Sequence, residues 1–262
     1  MSVESKQRIR EMRAICMPPE KRNSEAVVAL LFMEIGFLFT RLLVKTRIRP
    51  NQVTWFWGIL LILSSLLFLF HDPWLNVLGT AGWIIGYALD DTDGQIARYK
   101  QIYSKRGSFL DLVNHCVTYP LLFACIGFGQ YFATGEVHNI AAGCVAGLSM
   151  LLAAFLVTLR NIASPADTVG NSGGLQVEER AFKNKNRYRL MRNLNPMTFC
   201  NVFILLLAVT LLDILLPELF PAVFPFEFLW TTCLIQMFLL LYAVGFPIGS
   251  VVRAGILYKG LK

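Results

Sequence analysis

The 24 Lys and Arg residues of this 262-residue chain fall in four clusters: ten in residues 1–50, four in 98–106, seven in 160–192 and three after 252. Between the clusters lie six apolar segments, near Val53–Phe70, Trp74–Leu89, Asp111–Phe132, Ile140–Leu159, Met197–Leu216 and Phe228–Val251. Each is close to the ~20 residues that a helix needs to cross a bilayer. The short connections opposite the basic clusters hold His71, Asp72, Glu136, His138, Glu218 and Glu227, with no Lys or Arg. Basic loops stay on the cytoplasmic side. The pattern therefore predicts six spans with both termini cytoplasmic. A chain that is 55% apolar with mean hydropathy +0.54 agrees with that class.

The N-terminal fifty residues differ. Met1 to Arg22 carries Lys6, Arg8, Arg10, Arg13, Lys21 and Arg22, which reads as a solvated tail or one lying on anionic headgroups. Ser24 to Arg49 is apolar but is interrupted by Glu34 and Arg41 and ends in Lys45, Arg47 and Arg49. A seventh span there would carry six positive charges across the membrane, so an amphipathic helix in the interface is expected. The expected fold is all-α, a six-span membrane bundle preceded by that interfacial helix. Residues 1–50 form the basic cytoplasmic tail and interfacial helix, and 51–262 the membrane domain. The polar first 24 residues do not read as a cleavable signal peptide. Six scattered cysteines read as small apolar fillers, without metal-ligand or disulfide spacing.

This orientation places the acidic residues of Leu89 to Cys116 at the cytoplasmic ends of spans two and three. Helical spacing aligns Asp90, Asp93 and Ala97 on one face, and Asp111 with His115 on another. Asp91 is rotated ~100° from Asp90 and is left outside the cluster. Carboxylates gathered at a membrane-embedded helix end need neutralising. A hard divalent cation with oxygen ligands is the natural partner. Gly94, Ala97 and Gly107 leave room beside the acids for a ligand or a neighbouring backbone. Arg98 follows the acids at helical spacing and is placed with Lys100, Lys105 and Arg106 in the loop between the two spans. Span two is expected to continue as helix through Arg98, and span three to start near Gly107.

Asp90, Asp93, Gly94, Ala97, Arg98, Gly107 and Asp111 fit without a gap the pattern D-x-x-D-G-x-x-A-R, eight residues, G-x-x-x-D-x-x-x-D. The stretch resembles the CDP-alcohol phosphotransferase family, at seven of its eight fixed positions. The eighth departs: His115 stands where the family has its last aspartate. The resemblance extends weakly upstream to Pro50–Thr54. It implies a donor that is a CDP-linked alcohol or CDP-diacylglycerol, release of CMP, and transfer of the substituted phosphoryl group to an alcohol acceptor in polar-lipid synthesis. It further implies two Mg²⁺ or Mn²⁺ ions on Asp90, Asp93 and Asp111, and a nucleotide admitted by Gly94, Ala97 and Gly107. Arg98, Asn51 and Thr54 are further candidate substrate contacts. The last aspartate is thought to deprotonate the acceptor, so His115 inherits that position. A neutral imidazole can take an alcohol proton near neutral pH. A ligand role, favouring Mn²⁺ or Zn²⁺, and a purely structural role both stay open.

Plainer readings stand beside these. The acids could serve structural salt bridges, Gly94 and Gly107 helix packing, and Asn51 and Thr54 the opening of a helix after Pro50. A divalent-cation carrier is the rival function, although the acids lie at one membrane edge and only Asp213 offers charge in the outer half. A non-catalytic relative is another rival and rests on His115 alone. The basic stretch Arg180–Arg192, with Phe182 and Tyr188, is too short beside a membrane to indicate nucleic-acid binding. Partners are therefore the CDP-linked donor, the alcohol acceptor and membrane lipids, with no nucleic acid. A homodimer is left open, and the acceptor alcohol is unreadable.

The charge asymmetry predicts that a tag inserted after Gly135 is accessible from outside sealed cells, while Cys16 is protected. External labelling of Cys16 would overturn this arrangement.

Overall fold

The computed structural model describes residues 3–19, 27–163, 193, 195–196, 198–215 and 234–259. Among them the fold is all-α, with helices α1 (Val3–Cys16), α2 (Val27–Leu43), α3 (Pro50–Leu66), α4 (Pro73–Lys100), α5 (Lys105–Thr134), α6 (His138–Ala163), α7 (Phe199–Leu215) and α8 (Leu234–Lys259). A short 3-10 turn, Leu67–Phe70, prolongs α3. The stretch Arg180–Arg192 lies outside the described residues.

Local chemistry sets the helix ends that frame the site. Pro50 opens α3, a position where its missing N–H costs nothing, and the Gln52 side chain accepts the Arg49 N–H at 2.9 Å. Asp72 caps α4 by accepting the Leu75 N–H at 2.9 Å, with Pro73 at the first helical position. Gln101, left-handed at φ 56°, closes α4. Ser104 then caps α5 by accepting the Gly107 N–H at 2.9 Å. The connection between α4 and α5 is therefore only residues 101–104. Arg98 and Lys100 belong to the last turn of α4, and Lys105 and Arg106 to the first turn of α5, instead of a loop.

The core is an aromatic column. Trp57 on α3, Trp83 on α4, Phe123 on α5, Phe203 on α7 and Tyr242 on α8 are all fully buried. Trp83 stacks on Phe203 with ring centroids 5.1 Å apart, and its indole N–H donates to Ser65 at 3.0 Å. Close packing of α5 on α6 depends on two glycines. A Cβ on Gly127 would stand 2.6 Å from the Asn139 carbonyl, and one on Gly143 2.5 Å from the Phe123 carbonyl. Apposed small residues of this kind let helix backbones approach in a membrane, where lipid supplies no hydrophobic drive between helices.

Among the described residues, four helical stretches are long and apolar enough to cross a bilayer: Pro50–Phe70, Lys105–Thr134, His138–Leu156 and Leu234–Ile256. They make the chain a multi-pass membrane protein by length and composition. Of the other two expected spans, helix α4 runs 28 residues and carries Asp90, Asp91 and Asp93 past the expected end at Leu89, and α7 is described over 17 residues. Residues 228–233 of the last expected span lie outside the described residues.

In the N-terminal region residues 3–16 form α1, and Cys16 and Met17 are buried against Met33 and Phe37 of α2. Helix α2, at 17 residues, turns Phe32, Met33 and Phe37 inward, while Leu31, Leu38 and Leu42 are exposed. Polar bonds tie it to α4. Thr92 donates to the Gly36 carbonyl at 3.1 Å, Gln95 donates to the Met33 carbonyl at 3.0 Å, and Thr40 donates to Gln95 at 2.9 Å. The burial of Cys16 makes it a poor reporter of sidedness, so the tag after Gly135 carries the topology test.

Gly143→Leu should destabilise the fold by about 1–3 kcal/mol through overpacking, seen as a lower thermal midpoint of the purified protein. An unchanged midpoint would show that α5 and α6 are not in close contact.

Candidate active site

Three helices meet at the acidic cluster. Asp90 and Asp93 stand on α4, Asp111 and His115 on the first turns of α5, and Thr54 and Trp57 on the first turns of α3. Asp90, Asp111 and His115 each offer a ligand atom, and these atoms lie within 4.8 Å of one another. His115 Nε2 is 3.6 Å from Asp90 Oδ1 and 3.4 Å from Asp111 Oδ1. The side chains of Asp90 and His115 are each 23% exposed and Asp111 is 43% exposed, so the group opens to its surroundings.

Asp93 is held differently. Its Oδ2 accepts a 2.6 Å bond from Thr54 Oγ1 and a 3.1 Å bond from Trp57 Nε1. Both donors fall on one oxygen. Thr54 is fixed in turn, because Asn114 of α5 donates to its carbonyl at 2.8 Å. The His115 ring lies between Trp57 and Tyr119, with centroid separations of 5.1 and 5.0 Å.

The remaining candidates surround this centre. A Cβ on Gly107 would stand 2.6 Å from Asn51 Oδ1, so glycine there lets the start of α3 close on the start of α5. Asn51 also reaches Ser104, with Nδ2 3.4 Å from its Oγ. Gly94 lies one turn after Asp90 on α4, and the carbonyl of Ala97 accepts the Ile102 N–H at 3.0 Å. Arg98 turns to the N-terminal helix, its Nε donating to the Cys16 carbonyl at 2.8 Å. Asp91 starts beside α2, its Cβ 3.3 Å from where a Cβ on Gly36 would sit.

A model of the CDP-alcohol phosphatidyltransferase family matches residues 47–244. The chain belongs to that family. No curated protein matches it. The matched region begins after α2, so α1 and α2 lie outside it.

The donor set fits a divalent cation. Two carboxylates and an imidazole converge, and Asp111 Oδ1 is buried with the 3.4 Å approach of His115 Nε2 in place of a well-formed hydrogen bond. A buried carboxylate oxygen so weakly satisfied is costly unless a cation completes it. Asp90 and Asp111 were expected in the ligand set and are brought together. Asp93 is near but tied to α3. Thr54 and Asn51 are more than a helix opening, since one touches Asp93 and the other packs on Gly107. Trp57, Asn114 and Tyr119 went unforeseen. Trp57 lies three residues after Thr54, and Tyr119 four after His115, so helical spacing from those two residues was the available signal.

Thr54→Val removes the shorter of the two bonds that orient Asp93. Losing an orienting bond of this kind typically lowers metal affinity about 10–100-fold. An electron paramagnetic resonance titration with Mn²⁺ should show that loss, and unchanged affinity would separate Asp93 from metal binding.

Proposed function

We propose that the chain transfers a substituted phosphoryl group from a CDP-linked donor to an alcohol, releasing CMP, in the synthesis of a polar lipid. The observation that carries this reading is the convergence of Asp90, Asp111 and His115, with Asp93 oriented beside them, inside a chain of this family. Asp90, Asp93 and Asp111 would hold Mg²⁺ or Mn²⁺ ions, two in this reading. Bound there, such ions offset the charge that develops on the leaving phosphate.

The bonds balance simply. The acceptor oxygen forms a bond to the donor phosphorus that carries the alcohol. The bond from that phosphorus to the bridging oxygen breaks, and CMP departs with the bridging oxygen. The acceptor proton passes to a base. His115 occupies that position in our reading, because its Nε2 faces both carboxylates and its ring is held between Trp57 and Tyr119. Holding a ring in one orientation is what a general base needs. Gly94 and Ala97 admit the nucleotide, with Gly107 and Asn51, packed on each other, at its edge. The site faces the cytosol in the orientation set by the basic clusters, with soluble substrates entering from water and lipid ones from the inner leaflet.

The carrier alternative loses its one outer charge. Asp213 accepts the N–H groups of Leu234 and Ile235 at 2.9 and 3.2 Å, which caps the start of α8. An ion path across the bundle would need that carboxylate elsewhere.

Asp90→Asn, Asp93→Asn and Asp111→Asn should each abolish CMP release from CDP-diacylglycerol while the protein stays folded in the membrane. His115→Ala should lose about 10²–10⁴-fold in turnover, with donor binding nearly intact and part of the loss recovered in His115→Asp. Unchanged, metal-dependent CMP release in all three asparagine variants would sink the metal assignment. A fully active His115→Ala would reject the base.

A further inference from the structure

We propose that the N-terminal helix α1 is a positioning element of the donor site, acting through Arg98, whose guanidinium it holds in place for the donor's diphosphate. The inference rests on the transferase reading above and adds a segment that the family match does not include.

Asp90, Gly94 and Arg98 follow one another at four-residue intervals, each ~40° further round α4, so Arg98 starts near the face of Asp91, whose charge favours its guanidinium. The Arg98 side chain folds back towards Gly94. Its Nη1 and Nη2 lie 3.4 and 3.7 Å from where a Cβ on Gly94 would stand. The guanidinium therefore sits one turn from the carboxylate centre. Its Nε is already engaged with the Cys16 carbonyl at 2.8 Å. Nη2, by contrast, is buried and makes no hydrogen bond. An unsatisfied buried N–H on a charged group is costly. Phosphate oxygens are the acceptors that a guanidinium fork fits best.

The other side of the contact shows why α1 belongs to the site. Cys16 ends α1, where the helix carbonyls lack intrahelical partners and carry partial negative charge. Arg98 satisfies one of those carbonyls, and the same bond fixes the plane of its guanidinium. Cys16 and Met17 are buried against Met33 and Phe37, and Arg13 pairs with Glu34 of α2. That ion pair is more than a third exposed at both ends, so most of the docking comes from the buried side chains. If α1 leaves, Arg98 loses its anchor and becomes free to swing away from Gly94. A donor that binds Arg98 better in the docked arrangement must, by reciprocity, favour docking.

Cys16 reports docking directly. It is fully buried in the docked arrangement, and that burial pushes its thiol up to about 11. Labelling therefore waits for α1 to move. The experiment follows N-ethylmaleimide labelling of Cys16 by mass spectrometry in the purified full chain, with and without CDP and Mg²⁺. CDP should slow labelling about 5-fold or more, the lower end of ordinary coupling between sites. Arg13→Glu sets like charges against Glu34. It should speed labelling, the exchange Arg13→Glu/Glu34→Arg should restore the slow rate, and bound CDP should slow labelling in both variants. A merely structural α1 would make labelling indifferent to bound CDP. That result overturns the inference while leaving the transferase reading intact. If the charge reversal leaves labelling unchanged, the CDP-protection measurement decides alone. Failure of the unaltered chain to bind CDP would contradict the transferase reading itself, and this inference with it.

Discussion

Carboxylates crowded at the end of a membrane helix repel one another, and each resists leaving water. Asp90 and Asp111 tolerate this because His115 Nε2 stands 3.6 and 3.4 Å from them, and because the cluster opens to its surroundings instead of being sealed. Asp93 tolerates it by accepting bonds from Thr54 and Trp57. A cation would complete the group, and the surrounding fold can be read as a device for keeping these side chains in place. The first turn of α3 orients Asp93. Asn114 of α5 locks Thr54, and the close approach of Asn51 to Gly107 brings the two helix starts together.

Helix α4 bears the chemistry, and it is braced on two sides by different physics. Towards α7 it packs large apolar rings, Trp83 on Phe203 among them. Towards α2 it uses buried polar side chains, Thr92 and Gln95, bonded to carbonyls and to Thr40. Directional bonds of this kind fix rotation and register where apolar packing alone tolerates slippage. Rotation of α4 matters here because it decides whether Asp90 or Asp91 joins Asp111.

Much of this was legible in the sequence, for identifiable reasons. Pro50 announced the start of α3. The run from Asp90 to His115 carried helical spacing and a family pattern, which singled out Asp90, Asp93, Asp111 and His115; the structure groups Asp90, Asp111 and His115 and bonds Asp93 to α3. Other features were hidden because they depend on tertiary partners. Trp57 reads as an ordinary apolar residue until α4 brings Asp93 to its indole nitrogen. The basic N-terminal residues read as a solvated tail, because nothing local shows that Arg98 would meet the Cys16 carbonyl 82 positions away. Helix α4 joins an apolar stretch to the acids of the site, and it stands outside the four described stretches that length and composition mark as spans.

The central claim is that this cluster drives transfer of the phosphoryl group that bears the donor alcohol. It is tested most directly with CDP-diacylglycerol carrying ³²P in the phosphate next to the lipid, incubated with the purified protein, a divalent cation and a panel of alcohols. The account predicts that the label appears in a new lipid joined to one acceptor while unlabelled CMP accumulates, and that chelation of the cation stops both. Label recovered in a nucleotide product, or transfer that persists after chelation, would contradict it.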